Sequence, residues 1–351
     1  MRHSSQAQAV TLYGIDIGKS LFHVAGLDRI GQGVLRSKFR RNALLQFFSN
    51  APVAIVAMEA CPGSQWLARK LTRYGHATRI VPAQFVKPYV KSNKNDTVDA
   101  EAIAEAASRP SMRFIAMKRP DQTDLQALHR ARDGLVYQRT ALVSQMRGFL
   151  LEYGIACRKG VGAFKLDLAD ALGNAENDLT PAFRKLLASL RAYLAELEDH
   201  IEQFNQEIEA IADRDDTARR LMTIPGIGPL AATALIAAAG DARQFKRGRD
   251  LSAWLGLVPA QYSTGGKPTL LGISKRGNTY IRRLLIHGAR SCVVHTDRSR
   301  HRWGAWLDAL AVRVHVNKLT VALANKIARM AWVVLTRPGA TYQRQDPRFA
   351  A

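Results

Sequence analysis

The sequence predicts a multidomain protein of the α/β plus α class: an N-terminal α/β domain, an antiparallel coiled-coil insertion and a mostly helical C-terminal domain. Three observations predict it. Short β-rich runs alternate with amphipathic helical stretches up to residue 118. Apolar residues recur with seven-residue spacing through 125–153 and again through 190–211. From Arg219 onward the chain turns basic, rich in small residues and helical. The expected boundaries are 9–118, 119–218 and 219–336, with 337–351 as a flexible tail, and 351 residues suffice for two or three cores.

Charge narrows the function classes. The chain carries 51 Lys and Arg against 29 Asp and Glu, a net charge of +22, which favours a polyanionic partner. Its distribution is uneven: 17 basic and 7 acidic residues in 1–118, 12 and 17 in 119–218, 22 and 5 in 219–351. Basic ends around an acidic centre fit nucleic-acid contacts held apart by a protein–protein element. Cys61, Cys157 and Cys292 are far apart and in no metal-binding spacing, which argues against a disulfide framework and a zinc finger. No unbroken apolar run approaches a membrane span, and Met1–Gln8 lacks an apolar segment of signal-peptide length, so a cytoplasmic, nucleoid-associated protein without membrane contact is expected.

Taken in order, Ala9–Asp16, Leu21–Leu27 and Val34–Phe39 read as strands of an antiparallel meander. A helix at Asn42–Ser49, a buried strand from Val53 ending in Glu59, a helix at Ser64–Tyr74 and a strand at Ala77–Val81 follow, then a helix near Phe85–Val90 and a strand at Arg113–Met117. A meander continued by alternating strands and helices is the pattern of a ribonuclease H-like domain, whose strand ends deliver acids to one edge. Next come two helices. Leu128, Leu135, Leu142 and Phe149, with Leu125, Met146 and Tyr153 as companions, mark the first; Leu190, Leu194, Leu197, Ile201, Phe204, Ile208 and Ile211 mark the second. Arg132 and Arg139 interrupt the first seam, and Arg158–Thr180 reads as the connection. Leu221–Gly240 has a helix end, a Pro-Gly-Ile-Gly turn and a new helix from Pro229, the pattern of a helix-hairpin-helix. Gly226 and Gly228 would let backbone amides approach a phosphate there. Helices are expected at Arg249–Leu255, Tyr280–His295, Arg302–His315 and Lys318–Leu335, with Pro259–Asn278 as a long irregular segment between them.

Two stretches carry chemistry. In Asn93–Glu105, Asp96 is placed as N-cap of a helix on which Asp99 shares its face, with Glu101 and Glu105 adding charge that calls for a cation. A capped helix with solvated acids would look the same. Asp16 and Glu59, at strand ends, complete an Asp-Glu-Asp-Asp set, four hard oxygen donors suited to Mg²⁺ or Mn²⁺ and not to zinc. In Pro259–Asn278, Ser263 and Thr264 precede Gly265-Gly266, with Lys267, Lys275, Arg276, Arg282 and Arg283 close in sequence. A hydroxyl beside glycines and cations suits contact with, or attack on, a phosphate. The histidines at 129, 287, 295 and 315 read as packing or surface residues, and Trp254, Trp303 and Trp306 as core.

The ordered set Gly14-Ile15-Asp16-Ile17-Gly18-Lys19, Met58-Glu59-Ala60, Asp96-Thr97-Val98-Asp99-Ala100, Ile224-Pro225-Gly226-Ile227-Gly228 and Ile273-Ser274-Lys275-Arg276-Gly277-Asn278 resembles the DEDD-type insertion-sequence transposases, also described as bridge-RNA-guided serine recombinases. The resemblance runs from Tyr13 to about Leu335, and its motifs are jointly specific. It implies a RuvC-like domain whose acids bind Mg²⁺, here Asp16, Glu59, Asp96 and Asp99, and a coiled coil. It also implies a C-terminal serine, here Ser263 with Thr264 as the alternative, that forms a covalent phosphoserine intermediate with DNA. Donor and target duplexes chosen by a structured guide RNA, and a homodimer assembling to a tetramer on DNA, are the implied partners. In such an assembly the acids and the serine that work together come from different subunits. Lys19, Lys267 and the basic residues after Ile273 are the expected nucleic-acid contacts, with Gly226 and Gly228.

Alternatives stand beside it. A RuvC-like endonuclease would activate water and leave Ser263 idle. An actin-like sugar kinase shares the Gly14–Ser20 pattern but needs a second glycine loop, which the sequence lacks. A non-enzymatic DNA-binding protein would leave the acids solvated.

Overall fold

The computed structural model describes residues 9–90 and 95–343. The expectations for 1–8, for Asn93 and Lys94, and for the tail from 344 lie outside the described residues. The chain divides into two compact units, one ending at Arg119 and one beginning at Pro120.

The first unit is a mixed sheet with helices on both faces. Strands β1 (Leu12–Ile17), β2 (Leu21–Leu27) and β3 (Gly33–Arg40) form the antiparallel meander; β4 (Ile55–Glu59) and β5 (Ala77–Val81) add in parallel, giving the order β3-β2-β1-β4-β5. The strand carrying Asp16 is thus central, and the strand ending in Glu59 lies beside it. Period-two alternation decides which side chains go where. Tyr13, Ile15, Val56 and Met58 pack with α1 (Arg41–Asn50) and α2 (Ser64–Arg73) through Leu44, Phe48, Leu67 and Leu71. Leu12, Ala57 and Val81 face the other way, toward Ile103 and Ala107 of α4 (Asp96–Ser108). The helix expected near 85–90 is a short α3 (Ala83–Val86) continued by a 3-10 turn, Lys87–Tyr89. Arg113–Met117 is not a strand: among the described residues a single bridge, Ile115 to Ile80 of the edge strand β5, is its whole pairing.

In the second unit, α5 (Pro120–Leu151) and α7 (Pro181–Arg214) pack side by side. Arg132 meets Asn205 while Phe149 meets Phe183, so the pair runs antiparallel. The α7 seam follows the expected residues, with Leu194, Leu197, Ile201 and Ile208 buried. On α5 the expected Leu125, Leu142 and Met146 are buried, but Leu128, Leu135 and Phe149 are half-exposed, and the buried line takes in His129, Val143 and Leu150 one position along. The arginine that interrupted the predicted seam lies on this line because it is satisfied there, Arg132 Nε donating to Asn205 Oδ1 at 2.5 Å. The connection also differs. It folds as α6 (Val161–Gly173), which buries Phe164, Leu168 and Ala171, a helical spacing hidden among Gly and Asp residues.

Beyond α7, helices α8 (Asp216–Met222), α9 (Pro229–Ala239), α10 (Gly248–Trp254), α11 (Thr279–His295), α12 (Gly304–Ala311) and α13 (Val316–Thr336) share one core with Trp303 deep inside. Helix α13 alone among the described helices has the length and composition to cross a membrane, which the sequence reading did not anticipate. It buries Leu319, Leu323, Ile327 and Ala331 in this core. The segment read as irregular contains a two-stranded hairpin, β6 (Pro259–Gln261) with β7 (Leu270–Ile273). A bridge between Thr264 and Lys267 closes its turn, where Gly265 and Gly266 both take positive φ.

Candidate active site

The acids of the first unit are gathered by one close approach. Gly14 lies in β1 under α4, where an added Cβ would come within 2.2 Å of the Ala100 carbonyl oxygen and 2.8 Å of the Ala104 Cβ. Only a residue without a side chain lets the helix lie this near the strand. With α4 so seated, its first turn, carrying Asp96 and Asp99, stands over the strand end that carries Asp16. The N-cap is Asn95, not Asp96: its side chain accepts from Thr97 N at 3.0 Å, and Asp96 is the first helical residue. Asp96 is thereby released from capping. Glu101 and Glu105 are not part of the cluster's charge, because Arg36 pairs with the first and Arg109 with the second, at 2.8 Å.

Asp16 and Glu59 feel the acids around them. Burial raises the Asp16 pKa, and the charges of Asp99 and Asp96 raise it further. Burial likewise raises that of Glu59, with Asp16 and Asp99 adding to it and Lys87 opposing. Carboxylate oxygens gathered in this way have the chemistry of a hard divalent-cation site. Among the described residues no three His, Cys, Asp or Glu side chains stand close enough to enclose an ion, so the set converges without closing.

Three neighbours escaped the sequence reading. His23 faces Asp16 across the β1–β2 pair and lies 3.7 Å from Asp96 through Nδ1. The hairpin register, with Ile17 opposite Phe22, was the available signal. Lys87 stands near Glu59, and Cys61, two residues past Glu59, has its thiol pKa raised by burial and by Glu59 and Asp16. Lys19 is exposed in the turn after β1.

The second unit holds the hydroxyls. Ser263 Oγ accepts from Gln261 Nε2 on its own side of the hairpin at 2.8 Å and from Thr269 N across it at 3.3 Å, so two donors hold its oxygen. Gln261 had no sequence signal, for it lay in the segment read as irregular. The Thr264 carbonyl closes the turn by accepting from Lys267 N at 3.1 Å. Ser263, Thr264, Lys267, Lys275 and Arg276 are all exposed, whereas Arg282 is committed inside the fold. Its guanidinium donates to the carbonyls of Leu255 and Arg276, at 3.0 and 3.2 Å. Arg283 pairs with Asp133 and lies over the Tyr280 ring. Gly228 is exposed at the N-terminus of α9, while Gly226 is wedged against α11: a Cβ on Gly288 would sit 1.8 Å from the Gly226 carbonyl oxygen.

Sheet, acid cluster and basic helical unit together define a class of enzyme that acts on DNA. A family model described as a transposase matches residues 13–155, which include all four acids; a second, described as the transposase IS116/IS110/IS902 family, matches 218–304, which include Ser263. The chain is 44% identical to the transposase for insertion sequence element IS1328 of Yersinia enterocolitica, over 93% of this chain and 97% of that protein. It is 45% identical to a probable family 20 transposase of Pseudomonas aeruginosa, over 92% and 96%, and 42% identical to the transposase for insertion sequence element IS1111A of Coxiella burnetii, over 93% and 90%. The chain belongs to the IS110-type family of insertion-sequence transposases.

Proposed function

We propose that this transposase cuts and rejoins DNA through a serine–phosphate ester, with Ser263 as nucleophile and Asp16, Glu59, Asp96 and Asp99 as ligands of Mg²⁺ or Mn²⁺. The observation that carries the reading is the gathering of the acids at one end of the sheet, where burial first, and then neighbouring carboxylates, raise the pKa values of Asp16 and Glu59. Partly buried acids whose pKa values are raised by burial and by one another are the mark of a functional site. The proposed N-terminal unit is RuvC-like, α5 and α7 form the coiled coil joining subunits, and α8–α9 form a helix-hairpin-helix that meets phosphate at Gly228.

The chemistry balances without an energy source. The Ser263 oxygen bonds to phosphorus, one P–O bond to deoxyribose breaks, the hydroxyl proton passes to solvent, and the departing oxygen takes up a proton. Attack by a strand-end hydroxyl on the phosphoserine reverses these events and frees Ser263, so one phosphate ester is exchanged for another. The two hydrogen bonds accepted by Ser263 Oγ hold that oxygen, and favour it over Thr264, whose residue serves the turn. A divalent cation bound by the acids would supply positive charge to the non-bridging oxygens and to the leaving oxygen. Donor and target are proposed to be chosen by pairing with a structured guide RNA, while Lys19, Lys267, Lys275 and Arg276 contact backbone phosphate.

Ser263→Ala is expected to abolish the covalent protein–DNA adduct, seen as a shifted band in denaturing gels, while leaving DNA binding within a few-fold. An adduct that survives in Ser263→Ala and disappears in Thr264→Ala moves the nucleophile by one residue. Strand cleavage without any adduct would favour metal-activated water. Asp16→Asn is expected to stop cleavage with the fold intact; full cleavage in that variant with Mg²⁺ present would remove the metal assignment.

A further inference from the structure

Beneath the hairpin that carries Ser263 runs a groove of about 1330 Å³, walled by β7 on one side and by α13 and the start of α10 on the other. Its composition is lopsided. Arg247, Arg249, Lys318, Lys326 and Arg329 line it, and no acid does. Among the described residues the last four form no ion pair, so their charge is not spent inside the protein. Lys326 is fixed, its Nζ 4.3 Å over the Trp306 ring, and its pKa is lowered by burial first and then by the neighbouring charge of Arg329. The wall opposite is apolar and open: Leu270 and Leu271 of β7 are 65% and 58% exposed.

We infer that this groove holds an unpaired strand of nucleic acid, its phosphates along the cations of α10 and α13 and its bases against Leu270 and Leu271. Charge selects the occupant. A wall with five cations and no acid calls for a polyanion, and a partner protein face would need a run of acids as well as apolar groups. Form then selects among polyanions. A duplex turns only its phosphates and groove edges outward and has no apolar surface to lay on exposed leucines. An unpaired strand offers base faces and phosphates together, the combination that single-strand sites accept. Position ties the groove to the reaction, for Thr269, the residue before β7, donates its N–H to Ser263 Oγ. A strand lying along β7 therefore passes next to the proposed nucleophile. The inference rests on the family's action on DNA and not on the identity of the nucleophile.

The test is equilibrium binding by the full-length protein, without metal, read by fluorescence anisotropy. The probes are a labelled oligothymidylate of about a dozen nucleotides and a blunt duplex of the same length. The double variant Lys318→Glu, Arg329→Glu, both exposed positions, is expected to bind the oligothymidylate about tenfold more weakly or worse, with an unchanged circular dichroism spectrum. Leu271→Ala, on the exposed strand face, is expected to weaken the oligothymidylate several-fold and leave the duplex unchanged. Unaltered oligothymidylate binding in both variants overturns the proposal. So does equal loss for strand and duplex, which makes the groove a duplex contact. A changed sedimentation coefficient with unaltered oligothymidylate binding also overturns it, assigning the groove to an interface between copies of this chain. A missing Ser263 adduct leaves these readouts untouched, so the two readings fail separately.

Discussion

His129 shows how a single buried residue sets a property of the whole second unit. Its Nδ1 lies 3.0 Å from Tyr280 Oη and its Nε2 3.0 Å from Thr233 Oγ1, tying α5 to α9 and α11. Burial, with Arg132 adding to it, lowers its pKa from 6.5 to about 4. The folded state therefore keeps the ring neutral where the unfolded chain would already be protonated. This costs nothing above pH 6.5; as pH falls from 6.5 toward about 4 stability is lost, by about 3 kcal/mol in all, and below that the loss is constant. Urea unfolding at several pH values should show this acid limb, and His129→Gln should flatten it. A limb unchanged by the substitution would place the titration elsewhere.

At the scale of elements, the seating of α4 on β1 is the step that makes the acid cluster. Gly14→Ala is expected to push the helix off the strand, costing about 1–3 kcal/mol of stability in urea unfolding and reducing metal-dependent cleavage more than DNA binding. Cleavage at the parental rate would mean that the acids do not depend on this contact. The same scale marks what was legible in the sequence. β2 was placed at its observed ends, because alternation and turn residues are local signals. Asp16 and Glu59 could be put at strand ends from the same signals, and grouping them with Asp96 and Asp99 came from the ribonuclease H-like pattern in which strand ends deliver acids to one edge. What escaped was non-local: part of the α5 seam shifted, with His129 buried beside Leu128, because His129 and Arg132 find partners on α7, α9 and α11, which no periodicity reports. The β6–β7 hairpin was hidden because its strands are three and four residues long and mostly exposed, without an apolar face to alternate.

Across the whole molecule, charge is the property that travels furthest. The net +22 is concentrated at the two ends of the chain, and the acidic centre falls on α5–α7. Binding to nucleic acid should release many counterions, so duplex affinity is expected to fall about a thousandfold or more between about 50 and 200 mM salt, measured by anisotropy. A fall of less than about tenfold would mean that few of these cations touch phosphate.

The hairpin bearing Ser263 has one more consequence. Residues 261–270 are all exposed, and cross-strand hydrogen bonds, not a core, hold them in place. Segments so poorly anchored open at little free-energy cost while the helices behind them stay folded. The Ser263 hydroxyl can thus leave Gln261 and Thr269 without disturbing α11 or α13, and whatever presses on the hairpin sets the oxygen's final direction. Under the proposed role of Ser263, reactivity then belongs to the loaded complex, and a chain meeting stray DNA keeps this hydroxyl in its resting hydrogen bonds.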